Sequence, residues 1–340
     1  MFAPHSTSAL VFLILTILVA LAFDFTNGFH DTANAIATSV STRVLSPRFA
    51  ILMAAILNFV GAFISTNVAK TIGGDVAASS ALTPVVIMAA LLAAISWNLI
   101  TWSYGLPSSS SHALIGGIVG AAVAGSAQHF GVLNGGGILK IVLSLILSPV
   151  LGLVIAYALG VGLLWVFRGF MPAQVTSISR WLQRVSAAFV AFSHGSNDAQ
   201  KTMGVITAAV LTYQGSTVTD FKVPDWVIVL SATAIALGTS FGGWRIIKTM
   251  GMRIVKLRPL DGFASQTSSA LVIISASLLG LPVSTTHVIA GSIMGAGARQ
   301  RISAVRWGVA GNMVIAWVIT GPITAILAAI IYEIFHMAGL

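Results

Sequence analysis

The sequence has no cysteine among its 340 residues, so disulfide frameworks and thiolate metal sites are excluded. It is also poor in charge. Only 7% of residues are Asp, Glu, Lys or Arg, against about a quarter in a soluble domain, while 57% are hydrophobic. With a mean hydropathy of +0.97, the chain reads as an all-α polytopic membrane protein. It has no phosphate-binding loop of the nucleotide-hydrolysing kind, which argues against a primary pump within this chain. The first apolar segment lacks a basic leader and a clear cleavage site, so it reads as a retained helix rather than a signal peptide.

What the chain does have is apolar runs of membrane-spanning length. They lie near 8–38, 49–68, 84–104, 108–127, 138–166, 185–212, 226–247, 259–280, 283–298 and 304–333, about ten transmembrane segments, some broken or re-entrant. With the N-terminus outside, the cytoplasmic connections collect Arg43, Arg48, Arg168, Arg180, Arg184, Arg245, Lys248, Arg253, Lys256, Arg258, Arg299, Arg301 and Arg306. The outer connections keep Lys70, Lys140 and Lys222. That asymmetry puts both termini outside a plasma (inner) membrane, and it accounts for the net charge of +9 without a nucleic-acid partner.

Two of these runs have unusual lengths. A helix over 8–38 would extend roughly 46 Å, well beyond a hydrocarbon core of about 30 Å. Its excess coincides with Asn27-Gly28, where a break is expected. The run after Leu281-Pro282 is short instead. Two halves of the chain also correspond. Gly28-Phe29-His30-Asp31 aligns with Gly195-Ser196-Asn197-Asp198 at an offset of 167, and Gly105–His112 aligns with Gly280–His287 at an offset of 175. Five passes separate the copies, an odd number, so the second repeat is expected upside down. The expected divisions are 1–130 for the first repeat, 131–184 for a connecting helix and basic cytoplasmic link, 185–300 for the inverted second repeat, and 301–340 for a C-terminal helix. The link at 168–184 reads as an amphipathic segment at the interface.

Chemistry concentrates in two polar knots. Asn27–Ala35 carries Asn27, His30, Asp31 and Asn34, and His194–Lys201 carries His194, Asn197, Asp198 and Lys201. Ionisable groups at bilayer depth are expensive unless paired or used. Asp31 and Asp198 with Asn27, Asn34 and Asn197 offer hard oxygen ligands, suited to a proton or Na⁺, with a helix cap as the plainer alternative. His30 and His194 stand beside these carboxylates as candidates for a proton relay, and a permanent metal lacks a full ligand set. Asp24, one turn earlier, either belongs to this group or faces a water-filled space. Ser109, Ser110 and Ser111, and Ser284, Thr285 and Thr286, each follow a proline and open an apolar helix. They are N-caps, and as helix N-termini inside a membrane they are also candidate anion sites, with Lys201 as the nearby cation. A Ser-His-Asp enzyme is the weaker reading, because these residues recur in both halves as a catalytic triad does not. A passive pore remains a further alternative.

On these four motifs the chain resembles the inorganic phosphate transporter (PiT) family over nearly its whole length. Gly28–Ala35 and, more loosely, Gly195–Thr202 match its paired GANDVANA-type motif, and Gly105–His112 and Gly280–His287 match its second paired element. The wording of the knots is similar to the bacterial low-affinity branch in particular. That resemblance implies a secondary active transporter, not an enzyme, importing phosphate or a neutral complex of a divalent metal with hydrogen phosphate by proton symport. It implies no cofactor. Sodium-coupled eukaryotic members carry glutamates where Asn58 and Gln266 stand here, which favours the proton. Sodium coupling, and sulfate as cargo in similar relatives, remain the alternatives. On this reading phosphate binds at Ser109, Ser110, Ser111, Ser284, Thr285, Thr286 and Lys201, and Asp31 and Asp198 bind the coupling cation. The glycine-spaced helix after Gly116 packs either within the chain or across a homodimer.

Overall fold

A computed structural model describes residues 6–78, 81–215 and 221–339. The described residues form helices α1 (Thr7–Ser41), α2 (Pro47–Gly61), α3 (Asn67–Gly74), α4 (Pro84–Tyr104), α5 (Ser110–Ala124) and α6 (Gly135–Val166). They continue with α7 (Pro172–Tyr213), α8 (Asp225–Phe241), α9 (Trp244–Lys248), α10 (Pro259–Leu278), α11 (Thr285–Gln300) and α12 (Trp307–Met337). Among the described residues α1, α4, α6 and α12 are long and apolar enough to cross a bilayer alone. Helix α8 with α9 and the turn after it, bent by 64° between them, passes the same test only as a pair, as a broken span or a re-entrant loop. The other apolar runs are short, as in α2 and α5, or carry polar residues, as in α7, α10 and α11. That interruption is where the site lies.

The expected break at Asn27-Gly28 is not there. Helix α1 runs unbroken for 35 residues, and α7 runs unbroken for 42, so no carbonyls are freed at either knot. Glycine serves close approach instead. A Cβ on Gly28 would stand 2.4 Å from the Ile235 carbonyl oxygen of α8, and one on Gly195 would stand 2.2 Å from the Asn58 carbonyl oxygen of α2. The backbones of α1 and α8, and of α7 and α2, therefore touch where any side chain would separate them. The basic link is likewise no separate helix. From Pro172 it is the first part of α7, and Arg180 and Arg184 donate to the Arg43 and Val44 carbonyls just beyond the end of α1.

Packing relations come in pairs. Helix α1 lies against α8 and α4, and α7 lies against α2 and α10. Helix α5 packs on α12, and α11 packs on α6. The ends of α4 and α10 are capped by Gly105 and Gly280 in the left-handed region (φ +66° and +67°), which releases the chain into Ser/Thr segments. Each cap carbonyl is held by a threonine of a short helical segment in the other half of the chain. Thr71 of α3 donates to the Gly280 carbonyl at 2.7 Å, and Thr249, just after α9, donates to the Gly105 carbonyl at 2.9 Å. Asn67 also donates to the Leu278 carbonyl, as Arg245 does to that of Ser103.

Two hydrophobic cores flank the knots. One gathers Phe23, Leu91, Leu114, Met203 and Ile235, and the other Ile36, Val190, Ile246, Ile273 and Ile293. Large apolar side chains such as Leu18, Leu52, Ile56, Ile146, Val150 and Val318 face outward, as bilayer lipid requires. Between the cores is a layer of buried polar side chains.

Candidate functional site

The layer is built where α1 and α7 run beside the N-termini of α5 and α11. Ser109 caps α5 by accepting from the His112 amide, and Ser284 caps α11 by accepting from the His287 amide. Ser111 donates to the Val283 carbonyl and so ties one terminus to the other. These three hydroxyls are engaged by the helix termini themselves. The next ones, Ser110, Thr285 and Thr286, turn toward the carboxylates.

Asp31 receives both termini. Ser110 of α5 donates to one of its oxygens and Thr286 of α11 to the other, each at 3.4 Å. Its Oδ1 also lies 2.6 Å from His30 Nδ1. Asp198 is held by the opposite set. Lys201 Nζ lies 2.8 Å from Oδ1 as an ion pair, while Asn27 and Thr285 donate to Oδ2 at 3.3 Å, with His194 Nε2 at 3.4 Å. Lys201 also donates to Ser110 at 3.2 Å, and Asn34 donates to Thr286 at 2.9 Å. Asp31, Asp198, Lys201, Ser110, Thr285 and Thr286 are each no more than 1% exposed. A lysine at zero exposure persists because its partner's charge offsets the cost of its own desolvation.

The histidines connect this centre to further polar groups. His30 Nε2 lies 3.3 Å from Thr101 and 3.4 Å from Ser108, which share a hydrogen bond of 2.8 Å. His194 Nδ1 faces the Asn58 side-chain oxygen at 3.2 Å, and Asn58 donates to Thr239. Each imidazole thus joins a carboxylate to a second polar partner, the arrangement a proton relay needs. One ligand atom each of Asp31, His194 and Asp198 lie within 4.8 Å of one another, so a cation among them reaches three ligands. The side-chain oxygens of Asn27, Asn34 and Asn197 are buried without hydrogen-bond partners.

Not every expected residue joins the cluster. Asn197 turns its amide to Ser277 and the Leu281 carbonyl, bracing α10 against α7. Gln266 lies away from the carboxylates, donating to Ser39 and accepting from Ser186. Thr101 and Gln200 were not anticipated. Thr101 is one of several hydroxyls in α4, beside Ser96 and Ser103, and nothing in the sequence singles it out. Gln200 sits inside the second knot, and its side-chain oxygen accepts from the Val68 and Ala69 amides at the start of α3. That satisfies the free amides of a helix terminus buried in the protein interior.

A buried lysine, two carboxylates and two hydroxyl-bearing helix N-termini can bind an oxyanion together with a cation. Known proteins agree with that chemistry. The phosphate transporter family matches residues 27–328. A Bacillus subtilis protein described as a probable low-affinity inorganic phosphate transporter is 53% identical, over 96% of this chain and 99% of its own. A Rhizobium meliloti protein with the same description is 50% identical over 96% and 97%. Among solved structures, one described as the sodium-dependent phosphate transporter superposes with a TM-score of 0.89 at 26% identity, over 96% of this chain and 99% of that one. These relatives are transporters rather than enzymes, and the outward apolar surface is that of an integral membrane protein. The chain belongs to the phosphate transporter family.

Proposed function

We propose that the protein imports inorganic phosphate by proton-coupled symport, with the anion seated between the N-termini of α5 and α11. The observation that carries this reading is the convergence of Ser110 and Thr286 on Asp31, with Lys201 bonded to Ser110. The hydroxyls now donating to Asp31 and Asp198 are the donors a phosphate at these termini would take. A carboxylate that loses its donors at this depth is stabilised by a cation. Anion and cation binding are therefore linked, and linkage of this kind is reciprocal. Asp31 and Asp198, with Asn27 and Asn34 beside them, hold the coupling cation, and His30 and His194 relay the proton. Asn197 acts at one remove, through α10.

Phosphate is favoured over sulfate by the same contacts. Hydrogen phosphate has a proton to donate to a carboxylate, whereas sulfate at neutral pH presents acceptors only and would face Asp31 unpaired. Alternating access is supported by the paired cap contacts. Thr71 and Thr249 hold equivalent glycine carbonyls on what the charge distribution makes the outer and inner faces. Release of one contact while the other holds would expose the site to one side at a time, as expected of two inverted repeats. Sodium coupling is the second reading. It is favoured by the three unpartnered amide oxygens and by the sodium dependence given for the solved relative.

The anion site is tested by equilibrium binding of labelled phosphate to the purified protein. Ser110→Ala and Thr286→Val are each expected to weaken binding about tenfold, for one lost hydrogen bond to a charged group. Sulfate should compete poorly. Unchanged affinity in both variants moves the anion away from these termini.

A further inference from the structure

One buried ionisable group takes no part in the mechanism above. Asp24 lies on α1 at zero exposure, and neither of its carboxylate oxygens has a hydrogen-bond partner. It shares a face of α1 with Asn27 and Asp31, at spacings of three and seven residues, about 10 Å from Asp31 along the axis. With the N-terminus outside, it stands on the outer side of the centre. The charged groups that bear on it are Asp198 and Lys201 of α7, and Thr202 beside it has an unpartnered hydroxyl. The other helices against α1 add little. Helix α4 has no Asp, Glu, Lys, Arg or His, α8 has Asp225 in its first turn, and α2 has Arg48 in its own. Helix α9 and the turn after it carry Arg245, Lys248 and Arg253, at the cytoplasmic end, and α10 and α11, which touch α1 less, carry Asp261, His287 and Arg299.

Asp31 and Asp198 are each surrounded by donors. Asp24 has only the Thr202 hydroxyl beside it, and Lys201 is already paired with Asp198 at 2.8 Å. A carboxyl so placed is far cheaper neutral than charged. A neutral structural residue would serve the fold equally well without the liability of a titratable group. We propose that Asp24 is the proton-loading residue of the transporter: a third carboxyl that takes the coupling proton on the outer side and surrenders it toward the Asp198 side of the centre. Phosphate at Lys201 brings negative charge next to Asp24 and so favours its protonated form, which makes proton and phosphate load together. The inference rests on the proton-coupled reading above.

The test uses the whole protein in liposomes, with labelled inorganic phosphate and the membrane potential clamped. Asp24→Asn keeps the size and neutrality of the loaded state but cannot release a proton. It is expected to keep phosphate–phosphate exchange across the membrane while losing accumulation driven by a pH gradient, so that the inside-to-outside ratio falls from up to about tenfold per pH unit for one proton to unity. Asp24→Glu restores accumulation. Asp24→Asn that still accumulates phosphate under the gradient removes Asp24 from the proton path and leaves the proton-coupled reading intact. Asp24→Asn that loses exchange as well as accumulation makes Asp24 a structural residue, which also overturns the proposal. Wild type that fails to accumulate under a proton gradient, yet does so under a sodium gradient, overturns both readings.

Discussion

Lys201→Met tests the centre most sharply, because it removes one charge and keeps most of the volume. Lys201 is fully buried, with Nζ 2.8 Å from Asp198. Breaking a buried pair by removing one partner costs about 3–5 kcal/mol, because the remaining charge is left uncompensated. The variant is therefore expected to lose about 3–5 kcal/mol of folding stability. Adding Asp198→Asn removes the stranded charge and should recover about 2–3 kcal/mol at pH 7, a coupling that a double-mutant cycle in mixed micelles reads directly. Phosphate binding should stay lost in both variants. If Lys201→Met is as stable as wild type, or the double variant is no better than the single, the ion pair does not hold the centre together.

The other expectations follow from particular contacts. Asp31→Asn and Asp198→Asn should each abolish phosphate uptake in liposomes while inserting normally. Asp225→Asn, in the first turn of α8, should be silent, and strong loss there would mean the pathway runs elsewhere. Gly195→Ala places a methyl 2.2 Å from the Asn58 carbonyl oxygen. It should cost about 1–3 kcal/mol, seen as a lower thermal midpoint in detergent; an unchanged midpoint would mean α2 and α7 separate freely. Thr249→Val and Thr71→Val each remove one hydrogen bond, worth about 1 kcal/mol, which shifts a two-state balance about fivefold. The first should raise cytoplasmic labelling, and the second outer labelling, of a single cysteine introduced at Ser196 into this cysteine-free chain. Equal labelling from both sides in either variant contradicts the paired-gate reading.

Much of the centre was legible in the sequence because its residues are costly in lipid. Asp31, Asp198 and Lys201 stand out against an apolar background, and a proline followed by serines and threonines marks a helix start without any structure. The continuity of α1 and α7 was not legible. Asn27-Gly28 reads as a helix breaker, but helix interiors tolerate such a pair when a partner backbone packs on it, and the Ile235 carbonyl is that partner. Hydroxyl pairing was also hidden. Nothing in sequence distinguishes Ser110, which reaches Asp31 and Lys201, from Ser111, which turns to the Val283 carbonyl, because the helical rotation between neighbours decides it. The same holds for Thr101, whose partner His30 is 71 positions away. Asn58 and Gln266 are alike in composition but not in place: only Asn58 touches a histidine of the centre.

The most direct measurement is uptake of labelled phosphate into liposomes holding the purified protein. A proton gradient and a sodium gradient are imposed separately, each with and without Mg²⁺. The account predicts phosphate accumulation under the proton gradient, abolished by a protonophore and indifferent to sodium. Accumulation that requires sodium and ignores the proton gradient would contradict it.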